Sequence, residues 1–337
     1  MNWFSDLVGF FETPADVYQN ISVAGEWMTS KANGKRYRSG ILTIPSLASV
    51  REQVLPLLSE DQVDQKASRS TLREVVANVQ TLHCDPANQN AIFQVASQCN
   101  LLEMVGPSVT PEQGVTGYAY DRTQGPACAI AAGAGTIYRN YFVPVGDQIG
   151  QTASKQVDTM MDLEQAFESK GISEPWRMQN GYVLPTALKL SEINEVLSGV
   201  NRDQYLSLLR IGVHRNVEVT IATDDDNAGP IVHQLYCSAM PVAYSRVHSQ
   251  IWEPLGRLVL DAAYELTLLT AVQNAKQTGQ RTVYLTLLGG GAFGNPTEWI
   301  TDAILRAMKI VEQANLDVVI VSYGRSSHSV QNCIAKW

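Results

Sequence analysis

Charged residues are scarce, at 17% of the chain, and no run of Lys or Arg stands anywhere in it. Lys and Arg number 25 against 33 Asp and Glu, a net charge of −8. A nucleic-acid partner needs a basic face to neutralise phosphates, so none is expected. Cysteine is also sparse. The five residues Cys84, Cys99, Cys128, Cys237 and Cys333 are odd in number and none has C-x-x-C spacing. That argues against a disulfide framework and against a structural zinc site. The five histidines form no H-E-x-x-H and no i, i+4 pair, and no Ser-His-Asp or Cys-His pattern is readable. No stretch approaches the about 18 apolar residues of a membrane span, so no membrane partner is expected. The first residues, MNWFSDLVGFFETP, have no basic region ahead of their apolar part, which argues against a secretory signal. The expectation is a cytoplasmic protein or, in a pathogen, one exported to a host cell by another route.

What is present is core. Apolar residues make up 45% of 337, enough for a large α/β unit and too many for a disordered chain. There is no internal repeat and no Pro-, Gly- or Ser-rich linker. Residues 1–75 read as a helical N-terminal extension packed on a core domain, 76–337. Leu47 opens a helix with Val50, Val54 and Leu57 on one face, and Thr71-Leu-Arg-Glu has capping-box spacing for another. Residues 91–100 (AIFQVASQCN) read as a buried strand, and 127–145 as a small-residue stretch ending in a strand-like run. The second half is clearer. Residues 217–222 alternate as a strand, and 232–243 read as extended. Residues 252–276 repeat apolar side chains at helical period. Two apolar strands, 283–288 and 318–322, flank an amphipathic helix over 299–314. Alternating strands and helices give an α/β protein with a three-layer mixed sheet, in which ligands bind at the carboxyl ends of the strands.

The richest segment is TLLGGGAFGNPTEW, residues 286–299. A buried strand runs into Gly289, Gly290, Gly291, Ala292, Phe293, Gly294 and Asn295, and a helix follows. Asn295 has the character of an N-cap, with Pro296 in the first turn and Glu298 three residues on. Glycines without Cβ atoms beside a helix start let backbone amides reach phosphate oxygens. The Lys-Ser/Thr of a P-loop is absent. The alternative is a tight turn that needs positive φ.

LTLLGGGAFGNP, the helix after it and VVIVSYG resemble the closing half of the macrodomain superfamily, over about residues 217–324. The resemblance implies a macrodomain-like fold in which this loop holds the diphosphate and distal ribose of ADP-ribose. The family's Asn-Ala-Ala-Asn and triple-glycine first loop is not present in its usual form; residues 85–100 and 117–135 stand nearest to it. With TQGPACAI and IYRNYFV, the pattern looks most like a divergent branch that includes bacterial effector enzymes removing ADP-ribose from arginine.

Asp224, Asp225 and Asp226 follow the strand 217–222 and are the catalytic candidates. A carboxylate there holds a guanidinium and activates water, or accepts from the adenine amino group. Three adjacent aspartates also raise a pKa or recruit a cation, so a divalent cation is an alternative occupant; otherwise they form a solvated acidic turn. Asp121 and Glu103 are further acidic candidates. Gln94, Asn100 and Gln124 are amides for ribose hydroxyls or for buried backbone, Phe293 packs on the distal ribose, and Tyr323 lines the same edge. Arg139 meets a phosphate or pairs with an acid in the core. The expectation is a cofactor-free, metal-free hydrolase that binds ADP-ribose and removes it from ADP-ribosylated protein, most plausibly from arginine. A non-catalytic reader module, or a hydrolase of another nucleotide-sugar or phosphate ester, stays open beside it.

Overall fold

The computed structural model describes residues 2–63, 68–199, 201–223 and 227–337. Seven strands build one sheet: β1 (Ile41–Thr43), β2 (Thr71–Val76), β3 (Ile92–Ala96), β4 (Gly212–Glu218), β5 (Ile231–Cys237), β6 (Thr282–Leu285) and β7 (Asp317–Ser322). Their order is β1-β4-β5-β3-β6-β7-β2. The five strands from β5 to β2 run parallel. β4 runs antiparallel to both β5 and β1. The sheet is therefore mixed.

Period-two alternation sorts its side chains. Ile92, Leu235, Val283 and Ile320 face a layer with Leu190, Leu255, Leu258 and Ile304 from the helices Ala187–Ser198, Ser249–Thr278 and Thr297–Ile310. Phe93, Val95, Tyr236, Tyr284 and Val319 face the other layer with Cys128 and Ala132, from the helix Gln124–Ala131 and its end. Both faces are covered, which is why apolar residues dominate these strands and why their buried polar side chains, such as Gln94 and Gln234, are hydrogen-bonded. Each fully buried Leu or Ile contributes roughly 1.5–3 kcal/mol. The three layers are those expected. Among the described residues no helix is long and apolar enough to cross a membrane.

Several local readings differ. Residues 217–222, read as a strand, hold only the end of β4 and a 3-10 helix over Thr220–Ala222, and the strand read over 283–288 stops at Leu285. Thr71-Leu-Arg-Glu is edge strand β2, not a helix start. Arg73 grips Asp317 of β7 through two hydrogen bonds of 2.8 and 2.7 Å, and Thr71 Oγ1 donates to the same carboxylate. Cross-strand pairing outweighs the local capping pattern. Residues 127–145 are mostly the helices Gln124–Ala131 and Gly133–Tyr141, with no long strand. Their small residues serve close packing. A Cβ on Gly135 would sit 3.1 Å from His214 and Val217 of β4, and one on Gly133 2.9 Å from Trp3 and Leu7. The first 75 residues hold the helices Trp3–Val8, Pro14–Asn20 and Leu47–Val63, but also three antiparallel strands between Ile21 and Arg38, β1 and most of β2. Phe4, Leu7, Val17, Ile21 and Met28 of this region pack on Ala134, Ile137 and Tyr141.

Candidate active site

At the carboxyl edge of the parallel strands lies a cleft of about 420 Å³. It is bounded by the residues that follow β3, β5 and β6, and by the start of the helix Gln124–Ala131.

The first wall leaves β3 through a tight turn. Leu101 N–H donates to Gln98 O and Gln98 N–H to Leu102 O, both at 2.9 Å, and Leu101 adopts φ +64. Such a φ is uncommon for a leucine and persists because the surrounding bonds impose it. Asn100 Oδ1 accepts from Leu102 N–H at 3.1 Å and Gln98 Oε1 from Met104 N–H at 2.7 Å. The turn delivers Glu103 to the cleft. Its backbone N–H donates to Tyr118 Oη at 3.0 Å. Its side chain is almost wholly buried, and neither carboxyl oxygen has a hydrogen-bond partner among the described residues. Arg139 Nη2 lies 3.6 Å from Oε1, beyond hydrogen-bond range. Burial pushes the carboxyl up to about 8; the charge of Arg139 and the nearby polar hydrogens of Tyr118 and Arg139 oppose the shift, and the charge of Asp121 adds to it.

The second wall is the helix start. Gln124 is spent on tying it to β3: its Oε1 accepts from Ala96 N–H at 3.0 Å, and its Nε2 donates to Gln94 O at 2.9 Å. Gly125 is required here, since a Cβ would stand 2.0 Å from Ala96 O. The N-cap, Thr123, makes no side-chain cap bond, so the first amides of this helix are left for a ligand. Asp121 lies on the rim, where its Oδ1 accepts from Thr123 N–H at 2.8 Å.

The third wall is the glycine loop. Gly290, Gly294 and Asn295 spend their N–H groups on Leu287, Gly291 and Gly289 carbonyls. Among the described residues the amides of Gly291, Ala292 and Phe293 have no protein acceptor. Gly289, Gly291, Ala292 and Phe293 line the cleft, and Gly290, Gly294 and Asn295 shape the loop behind it. Asn295 is not the N-cap; Pro296 is. The Asn295 side chain instead closes the loop, donating to Met240 O at 2.7 Å. Phe293 forms an aromatic group with Tyr182 and Tyr244, at centroid distances of 5.4 and 5.6 Å.

Other sequence candidates lie elsewhere. Gln94 is a core tie, donating to Thr267 Oγ1 at 3.0 Å. Asn100 is fully buried and braces the turn. Tyr323 is 80% exposed and takes no part in the cleft. Asp224, Asp225 and Asp226 lie outside the described residues. The strand before them ends at Glu218, paired with Ile231 where β5 begins. Because β4 is antiparallel, that end is on the opposite edge of the sheet from the cleft, so the strand-end argument for a ligand-edge position is reversed. Among the described residues no group of His, Cys, Asp and Glu is placed to hold a metal ion. Tyr182, Tyr244, Ser97 and Met104 were not anticipated. They come from separate segments, and only the fold assembles them.

No family model and no curated protein matches the chain. Solved structures similar to it are poly(ADP-ribose) glycohydrolases. The one from Thermomonospora curvata bound to the inhibitor ADP-HPD is 11% identical, with a TM-score of 0.45 over 96% of each chain. The one from Deinococcus radiodurans in complex with ADP-ribose is 10% identical, with a TM-score of 0.43 over 88% of this chain and 92% of that one. The likeness is distant. It corrects the finer resemblance: the proteins found are poly(ADP-ribose) glycohydrolases, and a kinship with arginine-specific effector enzymes has no support. TQGPACAI and IYRNYFV, which carried that resemblance, form helices whose residues tie backbone and fill core, as Gln124 and Tyr141 do.

Proposed function

We propose that the cleft binds ADP-ribose and that the protein hydrolyses the glycosidic bond at its distal ribose, releasing ADP-ribose from a macromolecular carrier. The observation that carries this reading is Glu103. Among the described residues neither oxygen of this buried carboxyl has a partner within hydrogen-bond geometry, and it opens on a cleft whose glycine-loop wall presents the amides of Gly291, Ala292 and Phe293. A carboxyl raised to about 8 holds its proton at neutral pH and can donate it to a leaving atom. Water then adds to the anomeric carbon as the bond to the carrier breaks, and the proton that water loses restores the acid. The loop amides of Gly291 to Phe293 and the uncapped helix start suit the diphosphate. The volume, about 420 Å³, falls in the range of small-ligand sites. No cofactor is invoked in this scheme.

The test has two stages. Calorimetric titration with ADP-ribose, against AMP and ribose-5-phosphate, should show selective binding. Glu103→Gln should then keep ADP-ribose affinity within about threefold while release from a modified carrier falls by roughly 10²–10⁴. Unchanged release in that variant removes Glu103 from the chemistry. Binding without release in the wild type leaves a reader module.

A further inference from the structure

Beside Glu103 stands Arg139, fully buried and not among the residues that line the cleft. Its guanidinium carbon lies 3.6 Å from the centroid of the Tyr236 ring. Nε donates to Leu101 O at 3.1 Å and Nη2 to Thr136 Oγ1 at 3.2 Å, while Nη1 has no hydrogen-bond partner among the described residues. A guanidinium in the interior is costly, and it favours the charged form of a carboxyl beside it. Among the described residues the one acidic side chain paired with it is Glu103, 3.6 Å away, so the arginine pulls against the burial that keeps this carboxyl protonated. The same arginine also holds the turn that delivers Glu103, because Leu101 is its φ +64 residue. Gln151 reinforces this, donating to both Asn100 O and Arg139 O at 3.0 and 2.9 Å.

We propose that Arg139 is a positioning residue: it fixes the turn under Glu103 and, as the buried cation facing that carboxyl, sets its proton affinity. The catalytic part of this inference rests on the function proposed above; the charge coupling does not. The other titratable groups around the pair are Tyr118, Cys128, Tyr236, His214 and Asp121. Burial raises Tyr118, Cys128 and Tyr236 and lowers His214, so these four are neutral near pH 7. Asp121 acts in the sense opposite to Arg139.

The experiment follows the Glu103 carboxyl by carbon-13 NMR in glutamate-labelled full-length protein, with the signal assigned by its loss in Glu103→Gln. Arg139→Gln and Arg139→Met both remove the charge on different stems, so either one that folds suffices. Each should move the Glu103 titration up by about one unit or more, and Arg139→Lys by less. The pH limb of ADP-ribose release should move in the same direction. A titration unmoved in a folded neutral variant overturns the proposal. If the wild type releases no ADP-ribose, the proposed function fails while the NMR titration still decides the coupling.

Discussion

Two glycines of the same loop, Gly289 and Gly291, separate a ligand cradle from a mere turn. Gly289 adopts φ +73, and a Cβ there would stand 2.4 Å from the Ala239 Cβ and 2.7 Å from Asn295 Nδ2. The left-handed backbone costs an alanine roughly 1–2 kcal/mol. Overpacking adds roughly 1–3 kcal/mol. Gly289→Ala should therefore lose about 2–5 kcal/mol. At roughly 2.1 cal/mol/K per residue, the unfolding entropy of 337 residues is about 0.7 kcal/mol per kelvin. The melting temperature should fall by about 3–7 °C. Gly291 has no positive φ, and a Cβ there meets nothing within 4 Å. Gly291→Val should change stability by less than about 0.5 kcal/mol. Its side chain would nevertheless enter the cleft and deny a ligand the loop amides. Loss of one charge-assisted hydrogen bond, about 1.5–3 kcal/mol, corresponds to an affinity drop of roughly 10- to 150-fold. Scanning fluorimetry reads the first effect and calorimetric titration with ADP-ribose the second. A Gly291→Val variant that binds ADP-ribose as the wild type does would refute the cradle. A Gly289→Ala variant with unchanged melting would refute the backbone argument.

Two further outcomes are expected. Turnover in excess EDTA should equal that in its absence; a loss reversed by a divalent cation would return attention to Asp224, Asp225 and Asp226. His83 is held neutral to about 4 by burial, whereas the unfolded chain takes up its proton near 6.5, so stability should fall as pH drops below 6.5. By pH 5 that loss is roughly 2 kcal/mol. In urea titrations at pH 7 and pH 5, His83→Gln should lose less between the two than the wild type does; an equal loss would clear His83.

Much of the fold was legible because its strands are buried on both faces. The apolar runs 283–288 and 318–322 read as central strands, and strands stand there over Thr282–Leu285 and Asp317–Ser322; the apolar period of residues 252–276 lies within the helix Ser249–Thr278. Where pairing decides, local pattern failed. Thr71-Leu-Arg-Glu is a good helix start in isolation and an edge strand once Asp317 is beside it. The direction of β4 was equally invisible. The alternation of 217–222 overlaps only the last two residues of β4, Thr220–Ala222 being a short 3-10 helix, and it carries no sign of the strand's sense, which decides the edge at which Glu218 ends.

The same limit explains the site. The glycine loop was readable because four glycines within six residues serve few purposes, and Gly291, Ala292 and Phe293 do face the cleft. An aspartate triplet is a louder signal than one glutamate in CNLLEMV. Yet loudness measures charge density, which favours solvent, whereas a perturbed carboxyl needs the reverse. Glu103 stands alone among apolar residues, just past the carboxyl end of a buried strand. That setting strips it of water and of hydrogen bonds, and so raises its proton affinity. In a three-layer fold, a lone acid in an apolar stretch just past a parallel strand is accordingly a pointer to a perturbed carboxyl.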